Sequence, residues 1–275
     1  MKYMHMNSSC PYAGLANMLM LLGRDTEDYK IALDMDLASH IRYDEETGVF
    51  RSGFSLQEKE WFDLYLKPRG YSYRETCWDK EEVLKNLRPG MMLGIFVEPE
   101  RKRAVVCDAV EEGALTFLNN KWEQTEEAER LNFTPAELLE RLPEQVTVGY
   151  IEPAKAETVD LRPVYAESLL TWKLLREKLR IFMEQTQTAK AMRGQLNVLF
   201  RALLLDGLTM AQLRKDEVLT EKLTALQGQF LGVLRQNIPA RLADTVDMAL
   251  LEEAVDLICQ HAEAACQKCC PTETT

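Results

Sequence analysis

Apolar residues recur along this chain with two different periods, and the change of period divides it. From residue 10 to about 22, Leu15, Met18, Leu19 and Leu22 fall at helical spacing. Ser8 or Ser9 supplies an N-cap, Pro11 sits in the first turn, and Gly23 closes the segment. A second helical stretch covers about 26–40. A polar loop with Gly48 and Gly53 follows over about 43–54, and Ser55 opens a helix that runs to Leu66 and stops near Pro68 and Gly70. Asp79 with Glu82 reads as a capping box for a short helix to about Leu87, and Pro89-Gly90 ends it.

The period then shortens. Met91–Val97 and Ala104–Val110 are strand candidates, and Glu111-Glu112-Gly113 turns the second into a third, Ala114–Leu118. Thr134-Pro135-Ala136-Glu137 is another capping box, its helix ending by Pro143, and Val146, Val148 and Tyr150 alternate on a last strand. Residues 153–163 carry Pro153 and Pro163 and no period, so they form the expected linker. Beyond it the stripes are helical: Leu169, Trp172, Leu179, Phe182 and Met183; then Leu196, Leu199, Phe200, Leu203 and Leu204, broken at Gly207 with Thr209 able to cap the next segment. Leu223, Leu226, Phe230, Val233 and Leu234 make a third, and Pro239 precedes a last helix to about Cys266. The pattern predicts an α+β domain over 1–152 and an all-α bundle of three to five helices over 164–275.

Charge sharpens this division. Residues 1–160 hold 19 Lys and Arg against 30 Asp and Glu, while residues 161–275 hold 14 of each, so the net −11 belongs entirely to the first part. Neither part is basic enough to track nucleic-acid phosphates. No apolar run reaches membrane-spanning length, and Met1–Met6 offers no apolar core for a signal peptide. The expected setting is the cytoplasm, with no membrane or nucleic-acid partner. Seven cysteines, an odd number at uneven spacing, argue against a disulfide framework.

Cys10 is the first chemical candidate. In the first turn of a helix a thiol meets the positive end of the macrodipole and unpaired backbone N–H groups, the setting of a nucleophile. The last helix carries Cys259, His261, Cys266, Cys269 and Cys270, metal ligands by type. Most of them also share a helix face, and a stripe of small thiols with no metal is the preferred reading. Trp61, Trp78, Trp122 and Trp172 read as core or domain-interface anchors. No dinucleotide fingerprint or phosphate-cradling loop is present, so no cofactor is expected.

The segment Ser9-Cys10-Pro11-Tyr12-Ala13-Gly14-Leu15-Ala16-Asn17-Met18-Leu19 resembles the nucleophile helix of the bacterial C39 group of papain-like cysteine peptidases, the bacteriocin-leader peptidases. Arg103-Ala104-Val105-Val106-Cys107-Asp108-Ala109-Val110 is similar to the strand that begins with the catalytic His. Leu115-Thr116-Phe117-Leu118-Asn119-Asn120-Lys121-Trp122 is similar to the strand that ends in the orienting Asn or Asp. The resemblance spans about residues 5–152 and implies a papain-like fold, a helical half plus an antiparallel sheet. It implies Cys10 at the nucleophile position, Asn119 or Asn120 at the orienting position, and Arg103 where the base belongs, across a cleft from Cys10. A guanidinium holds its proton at neutral pH and cannot serve as that base. The family's oxyanion-hole Gln would fall near Met4, which has no donor. Arg103 and Trp122 then become candidate ligand contacts, and His5 or His40 substitute bases. A papain-like domain followed by helices also resembles the butirosin-biosynthesis acyltransferases in architecture. Three readings follow. The first is a degenerate peptidase fold that binds a peptide or small ligand without cleavage. The second is a cysteine peptidase, or an acyltransferase served by a carrier protein, that uses Cys10 with a non-standard base. The third is an interaction protein acting through its helical bundle, the part that would also carry any self-association.

Overall fold

A computed structural model describes residues 4–6, 10–119, 129–187, 200–236 and 240–268. Helices α1 (Cys10–Leu21) and α2 (Asp28–Asp34) are followed by a hairpin of β1 (Ile41–Asp44) and β2 (Val49–Ser52). Helix α3 (Lys59–Leu66) leads into β3 (Tyr71–Asp79), α4 (Lys80–Asn86), β4 (Met92–Glu98), β5 (Arg101–Glu111), β6 (Ala114–Asn119), β7 (Glu129–Phe133), α5 (Pro135–Arg141) and β8 (Gln145–Pro153). Then come α6 (Arg162–Glu184), a π-helical stretch Phe200–Asp206, α7 (Gly207–Leu213), α8 (Glu217–Gln236) and α9 (Met248–Lys268). Every strand pairing among the described residues is antiparallel, so the class is α+β. No described helix is long and apolar enough to cross a membrane.

The chain forms two compact units, and the second is discontinuous: residues 36–56 group with residues 160–275, leaving 1–35 and 57–159 as the first. The linker expected over 153–163 holds one of two divisions, and the stretch between elements there is shorter than expected. Strand β8 extends to Pro153 and α6 begins at Arg162 with Pro163 in its first turn. The other division falls at residues 35–36 and 56–57.

In the first unit, six strands run in the order β3-β8-β4-β5-β6-β7. One face, carrying Leu93, Ile95, Val105, Cys107, Phe117 and Val148, packs with Val83 of α4 and Leu138 of α5. The other face receives α1, which lies on β5, β4 and β8. A Cβ at Gly14 would stand 2.4 Å from the Met92 sulfur and 3.6 Å from Val106 Cγ2, so glycine sets how closely this helix approaches the sheet. Both capping boxes are present, Asp79 with Glu82 on α4 and Thr134 with Glu137 on α5. Strands β3 and β7 are absent from the sequence reading. They are the two edges of the sheet, and β3 buries only Ser72 and Tyr73, so the alternation that marks a strand is weak in it.

The second unit is built on α6, α8 and α9. Trp172, Leu175, Leu179 and Met183 of α6 meet Leu223, Leu226, Phe230 and Val233 of α8 and Leu251, Ala254, Val255 and Ile258 of α9 in one core. Ile41 and Phe50 of the β1–β2 hairpin belong to the same core, so this unit takes in a segment from outside the bundle expected over 164–275. Its polar bonds reach into residues 36–56 repeatedly. Trp172 Nε1 donates to Ser39 O at 2.9 Å, Ile41 N donates to Ser168 Oγ at 3.3 Å, Tyr165 OH donates to Asp36 at 3.2 Å, and Arg214 pairs with Asp36.

Three further expectations change here. The helix expected over 26–40 is α2 plus a short 3-10 turn at Leu37–Ser39, because Asp36 adopts the left-handed region at φ 53°. The loop expected over 43–54 contains β1 and β2, turned by Asp44 accepting from Glu46 N and Thr47 N. Gly207 does not break the helix but begins α7, and Thr209 sits inside it, donating back to Leu205 O rather than capping. The Ser8 and Ser9 cap and most of the 196–204 stripe lie outside the described residues or side chains.

Trp172→Ala should remove ~3–5 kcal/mol from the second unit, the usual cost of deleting a buried large aromatic. Because Trp172 also holds Ser39, limited proteolysis of this variant should cut first between residues 41 and 52. Cleavage confined to residues 154–161 would instead show that the hairpin is held independently of α6.

Candidate functional site

Cys10 is the first residue of α1 and is half-buried. It lies four residues before Gly14, hence on the helix face that meets the sheet. Below it, Tyr12 packs edge-to-face on Phe62 of α3 at 5.2 Å, and Phe62 packs likewise on Tyr73 of β3 at 4.8 Å. Burial first, and then Glu58 for Tyr12 and Glu75 for Tyr73, holds both phenols well above their ordinary range, so they remain protonated donors.

The register of β5 decides what faces α1. Arg103 pairs with Ile95, Ala104 with Gly94 and Val106 with Met92. Cross-strand partners share a face, so Met92, Gly94, Lys102, Ala104 and Val106 line the α1 side, with the Lys102 stem lying over Gly94. Arg103 shares the opposite face with Ile95, Val105 and Cys107, the face covered by α4 and α5. This corrects the expected placement of Arg103 across a cleft from Cys10. The expected strand is present as β5, but its parity turns Arg103 away from α1.

Asn119 ends β6 and is buried, pairing in register with Glu129. Because Cys107 pairs with Phe117 and Val106 with Leu118, Asn119 falls on the Arg103 side of the sheet. It is therefore also on the far face from α1. Asn120 and Trp122 lie outside the described residues.

A different histidine is organised beside α1. Asp28, the first residue of α2, is fully buried and gathers donors from both sides, four of them from His5, Met6 and Tyr29. His5 N reaches Oδ2 at 2.7 Å, Met6 N reaches Oδ2 at 3.2 Å, Tyr29 N reaches Oδ1 at 2.7 Å, and His5 Nδ1 stands 2.7 Å from Oδ1. The carboxylate binds the chain segment before α1 to the start of α2. A ring held through Nδ1–H carries its basic lone pair on Nε2, the orientation that a carboxylate imposes on the histidine of a catalytic triad. The pairing of His5 with Asp28 was not foreseen; an Asp at a helix start carries no sequence signal for a distant main-chain donor.

The other two histidines belong to the second unit. His40 is buried, with Nδ1 3.2 Å from Ser168 Oγ and its ring 4.6 Å from that of Tyr165. His261 Nε2 stands 3.3 Å from Asp216. Cys259 is partly buried, and burial pushes its thiol up. Among the described residues, no three His, Cys, Asp or Glu side chains converge as metal ligands, and Cys269 and Cys270 lie outside that set.

No known family model matches this chain, and no curated protein is significantly similar to it.

Two outcomes test this geometry. Asp28→Ala should cost ~2–3 kcal/mol in chemical denaturation, because it strands buried backbone donors, whereas His5→Ala should cost under ~1 kcal/mol, since its ring is half-exposed. Equal losses would mean that the imidazole, not the main chain, is the group Asp28 serves. In thiol mapping with iodoacetamide at about pH 8, Cys10 and the exposed Cys77 should label while Cys107 does not. Burial, and secondarily Asp108, pushes the Cys107 thiol up to about 12. Raised in the folded state, this group leaves stability intact below the unfolded value of ~8.5 and erodes it as pH climbs from there toward 12. Cys107→Ala should flatten that alkaline slope.

Proposed function

We propose that the first unit is a papain-like scaffold, of the plan seen in the C39 group, that binds a peptide or small ligand beside α1 without cleaving it. The observation that carries this reading is the register of β5. Its α1-facing residues are Lys102, Ala104 and Val106, so this strand brings neither an imidazole nor a carboxylate to the α1 side. An acyl-transfer mechanism without a positioned base forfeits about 10²–10⁴ in rate, which leaves a thiol able to react but not to turn over. A reducing, cytoplasmic setting suits a chain whose described cysteines are free thiols.

One observation favours a second reading. The His5–Asp28 pair belongs to the same unit as Cys10 and precedes it by five residues, so a cysteine peptidase or acyltransferase would draw its base from there rather than from the sheet.

The experiment is incubation with a pool of unstructured peptides and an acyl thioester, with mass-spectrometric readout, for the unaltered chain, Cys10→Ala and His5→Ala. The expected result is Cys10-dependent retention or single modification and no product accumulation. Turnover abolished by both substitutions overturns the binding reading and establishes the His5-based enzyme.

A further inference from the structure

At the other end of α1, roughly 15–20 Å along the helix axis from Cys10, the first unit holds a cavity. It has a volume of about 730 Å³, within the range that encloses a small organic molecule. Its wall is made by the residues after α1, by α2, by the end of α3 and by the start of β3, and includes Arg24, Lys30, Arg69, Tyr65 and Tyr71.

The charges on this wall are not equivalent. Arg69 is committed: it pairs with Asp34 at 2.7 Å, donates to Tyr65 O at 2.9 Å and stacks on the Tyr65 ring at 3.7 Å. Arg24 spends only its Nε, on Tyr71 OH at 3.2 Å, and its terminal nitrogens have no partner among the described residues. Lys30 meets the Tyr29 ring face at 5.8 Å and has no carboxylate within ion-pair distance among the described residues. The Tyr71 oxygen accepts from Arg24, so its own proton is left to donate into the cavity. Asp25 lies on the same wall and is the one carboxylate there besides the paired Asp34.

The unit around this wall carries an excess of carboxylates. The first unit contains 17 Lys and Arg against 25 Asp and Glu, a net of 17 − 25 = −8. Lys59, Lys80, Arg69 and Arg74 are taken up in ion pairs; Lys85, Lys102 and Arg103 have no carboxylate partner among the described residues, but none of them lines this cavity. Two cations without carboxylate partners on one concave wall, beside a hydroxyl with a free proton, form a donor set for an oxyanion. The volume far exceeds that of the anion alone, and Leu19 and the two tyrosines supply contact for an organic body.

From this juxtaposition we propose that the cavity between the α1 C-terminal end, α2 and β3 binds a small organic phosphate monoester. Arg24 and Lys30 contact the phosphoryl oxygens, and Tyr71 OH donates to them. This site is separate from the ligand position beside Cys10 and does not depend on it.

The test is calorimetric or NMR titration of the full chain with phenyl phosphate, inorganic phosphate and phenol. Phenyl phosphate should bind saturably, at least about tenfold tighter than phenol, and more tightly than inorganic phosphate. Arg24→Gln and Lys30→Gln should each weaken it by about tenfold, and both side chains are exposed, so the fold stays intact. Lys85→Gln on α4 should leave it unchanged. Absence of saturable binding up to ~10 mM, equal affinity for phenol, or an unaltered constant in the double variant would each overturn the proposal.

Discussion

At Gly14 the absence of a side chain lets α1 rest directly on Met92 and Val106, and the chemistry of the first unit depends on that contact. It seats α1 on the face of the sheet that carries Met92 and Val106. Once the helix is seated, the strict two-residue period of β5 assigns every side chain on that strand to one face or the other. Arg103 falls with Ile95 and Val105, away from α1, and Lys102 and Ala104 fall toward it. One residue of parity thus decides whether Arg103 or its neighbours Lys102 and Ala104 face α1.

The same helix links two regions of unlike character. Its N-terminal residue is the Cys10 thiol, close in sequence to a histidine held by a buried aspartate. Its C-terminal end opens on a wall where Arg24 and Lys30 lack carboxylate partners. Both regions use α2: Asp28 at its first turn ties down the segment before Cys10, and Lys30 and Asp34 further along line the cavity. A short helix of seven residues is therefore shared between the two ends, and its packing against α1 positions both.

The second unit is organised by a different constraint. Residues 36–56 leave the first unit, form a hairpin, and are captured by α6 through Trp172, Ser168 and Tyr165. Trp172, Ser39, Ser168 and Ile41 are buried, so the two bonds among them replace desolvated orphans and the hairpin cannot leave without exposing these groups. The unit is closed in space although open in sequence.

The sequence by itself determined whatever is local. The capping boxes at Asp79 and Thr134 depend on residues three apart, and both are present. The central strands β4 to β6 and the long amphipathic helices were legible because burial on one side imposes a period that a reader can count. The Cys10 position at a helix start was legible for the same reason. Edge strands β3 and β7 escaped because an edge buries too little to show a period, and the β1–β2 hairpin escaped because its pairing is paid back only by a core contributed from 160 onward. Tertiary structure alone decided the rest: that Asp28 collects His5, Met6 and Tyr29, that Arg24 and Lys30 face one cavity, and that Arg103 points to the far side of the sheet. Each of these depends on residues brought together from separate elements, or on which neighbour a strand face meets, and neither quantity is written in residue spacing.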